Sequence, residues 1–148
     1  MESDFFYYKT FCEFGITSSE FDPGFITDRL NIIPDRSFKK GEQSVSKHSG
    51  SIITKPYNLW AISSNTTLLE EETISHHIDY LRKRLFARIP ILEKLKRDSR
   101  FEISCTIWVE TNNAGIGFDL SGNDLFFLNT IANRVHFSLI AKNSLESK

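Results

Sequence analysis

The chain has 148 residues, a net charge of -1, a hydrophobic share of 40% and thirteen phenylalanines. That size and composition exclude a disordered segment and complete a core without metal or disulfide staples. The near-neutral charge gives no general pull towards nucleic acid or anionic membrane.

Phe5 to Ile16 is predicted as the first strand, with Phe6, Tyr8, Thr10, Cys12, Phe14 and Ile16 on its covered face. A turn over Thr17 to Glu20 leads to a helix opened by Asp22 at the N-cap and Pro23 at its first position. Phe25, Ile26 and Leu30 make the apolar side of that helix, and Asn31 ends it. Ile32, Ile33 and Pro34 read as a buried extended clip. Residues 35–56 read as a long polar loop, with room for a short edge strand over Ser51 to Thr54. The next strand is Tyr57 to Ser63, with Tyr57, Leu59 and Ala61 on one face and Trp60 and Ile62 on the other.

A long helix is predicted from Glu71 to Ala87, where Ile74, His77 or Ile78, Leu81 and Leu85 recur at helical spacing. Glu70, Glu71 and Glu72 at its start and basic residues at its end suit the helix dipole, and Asp79 and Lys83 form an i,i+4 pair. Pro90 requires a kink or a break before a short helix over Ile91 to Arg97. Phe101 to Glu110 alternates with period two: Phe101, Ile103, Cys105, Ile107 and Val109 are inward, while Ser104, Thr106 and Trp108 are outward. A hairpin turn over Asn112 to Gly115 and a return strand carrying Ile116, Phe118 and Leu120 are expected next. Asp124 then caps a helix over Leu125 to Ala132, and Asn133 ends it, an echo of Asp22 to Asn31. Val135, Phe137 and Leu139 face inward on the last strand, and residues 142–148 form a frayed tail. The sum is one α+β domain over residues 1–148. It is a two-layer sandwich with a mainly antiparallel sheet, helices on one face, and the order β-α-β-α-β-β-α-β.

No catalytic constellation assembles from these residues. His76 and His77 are neighbours on a helix, point about 100° apart, and read as a partly exposed pair rather than metal ligands. His136 is placed outward on a strand and His48 in the loop. Glu102 and Glu110 share a strand face but stand roughly 26 Å apart, too far for a paired acid and base. No nucleophile elbow, phosphate loop or CxxC occurs. Cys12 and Cys105 read as reduced core thiols. The basic run from Arg82 to Arg100 reads as a solvated helix face. No cofactor is expected. Without a leader or a membrane-spanning run, the cytoplasm is the expected compartment.

The motif order resembles a bacterial domain family of unknown function, DUF4279. The resemblance lies in Phe14-Gly15-Ile16, Asp22-Pro23, Ile26-Thr27, Leu30, Ile32 and Pro34. It continues through Lys40-Gly41-Glu42, the Trp60 strand with Ser63-Ser64, Leu81 and Leu85, and Ile103 to Val109. It implies a compact intracellular bacterial protein and transfers no catalytic residue.

Two functional classes stand. The favoured one is a non-enzymatic protein-binding module, specifically an immunity protein that neutralises a toxin. Trp108 and Thr106 would form an aromatic anchor on an exposed sheet face, and Glu70, Glu71 and Glu72 would complement a basic groove. The alternative is a small-ligand binder or enzyme with a pocket under the 35–56 loop, built from Lys39, Lys40, Glu42 and Trp60. Neither class involves a membrane, and nucleic acid is not an expected partner.

Overall fold

An eleven-residue strand, Tyr8–Ser18 (β1), runs through the middle of a five-stranded sheet in a computed structural model that describes residues 8–142. Phe5, Phe6 and Tyr7 of the predicted first strand, and the predicted tail beyond Lys142, lie outside the described residues. The other strands of this sheet are Arg36–Phe38 (β2), Asn58–Ser63 (β5), Glu102–Thr111 (β6) and Arg134–Ala141 (β7). Their order is β2-β5-β1-β6-β7. β1 is antiparallel to both neighbours, β2 is antiparallel to β5, and β7 is parallel to β6. Gln43–Val45 (β3) and Ile52–Thr54 (β4) form a separate two-stranded ribbon. The α-helices are Pro23–Leu30 (α1), Ile74–Leu85 (α2), Ile89–Arg97 (α3) and Gly122–Ile131 (α4).

The α+β two-layer architecture is as the sequence predicts. Cys12, Phe14 and Ile16 of β1 share one face with Trp60 and Ile62 of β5 and with Ile103, Cys105, Ile107 and Val109 of β6. Against them pack Ile26 and Leu30 from α1, Ile78, Leu81 and Leu85 from α2, Leu92 from α3 and Phe127, Leu128 and Ile131 from α4. The period of two on the strands and of 3.6 on the helices meets in one apolar layer. The first cap also forms as read: Asp22 Oδ1 accepts from the Phe25 N–H, and Asn31 takes the left-handed conformation at φ 55.

Several expectations are corrected. The short strand expected over Ser51 to Thr54 forms as β4, but the rest of the 35–56 segment is not a plain loop, because β2 extends the sheet and β3 pairs with β4, turned by Gly41 and Gly50 at positive φ. The clip at Ile32 to Pro34 is only half buried, and Ile33 is exposed. β5 is buried along its whole length, on both faces. α2 starts at Ile74 behind a Thr73 cap that accepts from the His76 N–H, so Glu70, Glu71 and Glu72 precede the helix. Asp79 pairs with Arg82 rather than Lys83. The break expected near Pro90 does form: a single 3-10 turn, Phe86–Arg88, separates α2 from α3, and Pro90 sits in the first turn of α3, where its missing N–H costs nothing.

The return strand after β6 does not exist. Residues 116–121 are irregular, and Ile116, Phe118 and Leu120 are half buried against the core. The reason is the sheet itself: both edges of β6 are already taken, by β1 and β7. Alternating polarity reports which side chains face the core, and cannot report that a ladder partner is missing. The chain therefore crosses over through α4 and returns as a parallel strand. α4 is capped by Ser121, whose Oγ accepts from the Asp124 N–H, and Asp124 lies inside the first turn. The echo with α1 ends there: Asn133 is not a left-handed cap, and its Oδ1 accepts from the Ile103 N–H while its own N–H donates to the Ile103 carbonyl. With that earlier start Phe127 turns inward, while Leu125 and Phe126 are exposed. Phe137 and Leu139 of β7, expected inward, are 40% and 50% exposed at the sheet edge.

Leu81 is fully buried and Phe86, one and a half turns on, is 70% exposed. Leu81→Ala should cost about 2–5 kcal/mol of unfolding free energy in urea titrations. Phe86→Ala should stay within about 0.5 kcal/mol of the parent chain.

Candidate functional site

The helices cover one face of the sheet, and the other face carries the second set of alternating side chains. Phe11 on β1 and Trp108 on β6 are direct cross-strand partners there. Their rings stack, with centroids 5.6 Å apart and planes 13° from parallel. Trp108 is 37% exposed, so the stack holds the indole in place without hiding it. Thr106 lies two residues along the same face and pairs across to Glu13 and His136.

Ion pairs lie on the same face, two beside the rings and one about 20 Å along β6. Arg36 on β2 reaches Glu13 on β1 through both Nη2 at 2.8 Å and Nε at 3.3 Å. Arg134 on β7 reaches Glu102 on β6 at 2.8 Å, and Lys142 lies 3.5 Å from Glu110. In each pair the cation is largely exposed, so each pair orders this face more than it stabilises the fold. Towards β5 the same face closes up: Leu59 and Ala61 are buried, and Leu59 Cδ1 would stand 3.5 Å from a Cβ on Gly15. The result is an aromatic centre bordered by charge of both signs.

The other residues singled out in the sequence do not join this surface. Glu70, Glu71 and Glu72 lie in the segment before α2, where Glu70 accepts from Asn65 and Glu72 lies 2.8 Å from the His76 ring. Lys39, Lys40 and Glu42 are exposed in the connection between β2 and β3. Trp60 does not meet them: it is fully buried on the helix-covered face, edge-on to Phe14, with Nε1 donating to Thr27 Oγ1 at 3.1 Å. These four side chains therefore line no common cavity.

A buried polar chain was missed in the sequence. His77, expected to be partly exposed, is fully buried, as is Ser64. The His77 Nε2 faces the Leu69 carbonyl at 3.1 Å, which requires a proton on Nε2 and leaves Nδ1 an acceptor. Ser64 Oγ, 2.6 Å from Nδ1, donates to it and itself accepts from the Cys12 N–H at 2.9 Å. The signal was present, since His77 falls between Ile74 and Leu81 on the apolar stripe of α2. Burial pushes the His77 ring below its usual pKa, against the Leu69 carbonyl and the nearby Glu72 and Glu70, which pull it up. A serine and a histidine in contact suggest an activated hydroxyl, but both are sealed from solvent and the hydroxyl's bonds are spent within the fold. Their role is structural.

A cleft of about 630 Å³ lies between α2, the 3-10 turn and α4, lined by Ser75, Asp79, Arg82, Phe86, Phe126 and Phe127 among others. Arg82 is committed within it, paired with Asp79 and with Asp124 at 3.0 Å, its guanidinium 5.0 Å from the Phe127 ring. Burial alone would raise the Asp124 carboxyl; hydrogen bonds from Arg82, Ser75 and Ser121 outweigh it and hold the group below its usual range. The cleft floor is thus an internal lock between α2 and α4. Cys12 and Cys105 are free thiols in the core, and burial pushes Cys105 up to about 12. His48 and His136 are exposed. Among the described residues no group of three His, Cys, Asp or Glu side chains is placed to hold a metal ion. No helix among them is long and apolar enough to cross a membrane.

The family model of a domain of unknown function, DUF4279, matches residues 7–142 of the 148. The chain belongs to this family. Comparison of the chain with the curated proteins and with the solved structures found no match. The features that place this DUF4279 domain's candidate surface are therefore the sheet geometry and the Phe11–Trp108 pair.

Because the folded state holds His77 neutral, the unfolded chain binds the extra proton first on acidification. Stability from this site is fully present above the ordinary value of 6.5 and is lost as pH falls below it towards the lowered folded value. Urea midpoints should drop between about pH 7.5 and about pH 5, with a smaller drop in His77→Gln. Ser64→Ala, which unpairs the Cys12 N–H and His77 Nδ1, should cost about 2 kcal/mol at neutral pH.

Proposed function

We propose that this DUF4279 domain is a protein-binding module that acts without catalysis, and that the uncovered face of its sheet is the contact surface. The observation that carries this reading is the Phe11–Trp108 stack, solvent-facing and pre-ordered. Interface hot spots favour tryptophan, and they sit in an apolar centre inside a polar rim. A ring already held by a neighbour loses little rotamer freedom on binding, so more of its contact energy reaches affinity. The ion pairs at Glu13 and Glu110 supply a rim with both signs of charge, which suits selection of one partner over another.

The specific form of the proposal is an immunity protein in a bacterial cytoplasm, whose partner is a toxin that it neutralises. The segment with Glu70, Glu71 and Glu72 would supply a second, acidic contact to a basic substrate groove of such a toxin. Small-ligand binding or catalysis under the 35–56 segment remains the alternative proposal, and the separation of Trp60 from Lys39, Lys40 and Glu42 counts against it.

Co-purification with the product of an adjacent reading frame, followed by titration calorimetry, tests the reading. Trp108→Ala should weaken the complex by at least tenfold, about 1.4 kcal/mol or more, without changing the circular dichroism spectrum. Replacing Glu70, Glu71 and Glu72 by Gln should weaken a toxin complex and make it less sensitive to salt. An unchanged affinity for the Trp108 variant would remove this face from the proposal.

A further inference from the structure

We infer that β7 is a homodimer edge, pairing antiparallel with β7 of a second copy of this chain about a twofold axis beside Ser138. β7 ends the sheet order, and among the described residues no strand covers its outer side. Edge strands that avoid association carry lysine, proline or a bulge, or are very short. β7 is eight residues long, RVHFSLIA, with one charge, at its first position, and no proline.

The exposed side chains on this strand are self-complementary. The β6–β7 register sets Phe137 beside Ile107 and Leu139 beside Val109, so both point to the helix-bearing side. They are 40% and 50% exposed because the cover provided by α4 and Phe118 stops short of the edge. Phe137 and Leu139 stand symmetrically on either side of Ser138. An antiparallel copy centred on Ser138 sets each Phe137 opposite the partner's Leu139 and covers all four side chains.

The backbone agrees with this register. The Lys142 N–H donates to the Thr111 carbonyl, so the peptide groups of even-numbered β7 residues point to β6. Those of Val135, Phe137, Leu139 and Ala141 then point outward, and the twofold pairs 137 with 139 and 135 with 141 as hydrogen-bonded partners. Charge agrees as well. Arg134 comes opposite the partner's Lys142, but each brings its own carboxylate, Glu102 and Glu110. Each end of the seam therefore holds two cations and two carboxylates. With -1 per chain there is no strong overall repulsion to overcome.

Sedimentation velocity on the full chain at high micromolar concentration tests the assembly, and engineered cysteines test the register. The parent chain should run at twice the monomer mass. Leu139→Lys, at a half-exposed position that folding tolerates, should halve that mass with an unchanged circular dichroism spectrum. Ser138 on the axis faces its own copy in a non-hydrogen-bonded pair with Cα atoms about 4.5 Å apart, within disulfide reach. Mild oxidation should cross-link Ser138→Cys and leave His136→Cys, which faces the partner's Ile140, as single chains. A monomeric parent chain overturns the inference. So does a dimer unmoved by Leu139→Lys, or equal cross-linking of the two cysteine variants.

Discussion

The sheet depends on how β1 is finished where β5 runs out. β1 has eleven residues and β5 only six, so beyond Glu13 the β5 side of β1 has no strand against it. A buried N–H without an acceptor costs about 1–3 kcal/mol, comparable to a tenth or more of a domain's whole stability. The Cys12 and Thr10 N–H groups instead donate to Ser64 Oγ and to the Glu70 carbonyl. One hydroxyl and one backbone oxygen thus stand in for the missing strand. The rest follows from that substitution. A second 3-10 turn, Ser64–Thr66, brings Ser64 in, its hydroxyl donates to His77, and that contact ties α2 to the end of β1. The segment that supplies these groups has no regular ladder.

Which parts of this were legible is a matter of range. Asp22 with Pro23, the alternation from Phe101 to Val109, and the stripe of Ile74, Ile78, Leu81 and Leu85 state their environment in residues close together, and the structure places them as read. Misreadings arose where a distant element supplies the deciding group. Asp124 has the composition of a cap, but Ser121 takes that place and frees Asp124 to lock α4 to α2 through Arg82 and Ser75. Ile116 to Leu120 alternates like a strand, but no sheet edge is vacant beside β6. His77 lies on an apolar stripe, yet its burial makes sense only once Ser64 and the Leu69 carbonyl are seen to satisfy both ring nitrogens.

The candidate surface divides in the same way. Trp108 and Thr106 were found because outwardness on a strand is a period-two property, readable from β6 alone. Phe11, the ring that holds Trp108, could not be tied to it without the register between β1 and β6. Trp60 was misplaced because β5 is apolar on both faces, and a strand without polar contrast does not show which side meets the helices. The proposed contact face is the side of the sheet that the helices leave uncovered.

The two core thiols give the molecule an internal clock. Cys12 belongs to the strand end that Ser64 completes, while Cys105 is on the neighbouring strand in the same layer, and burial suppresses the thiolate of both. Cys12 is fully buried beneath the Ser64–Thr66 turn and α2, so a thiol reagent should reach it only when that corner opens. Its labelling rate therefore measures how often that corner opens, while Cys105, beneath the middle of the helical layer, registers the larger openings. The two thiols should thus report local and global opening at different labelling rates.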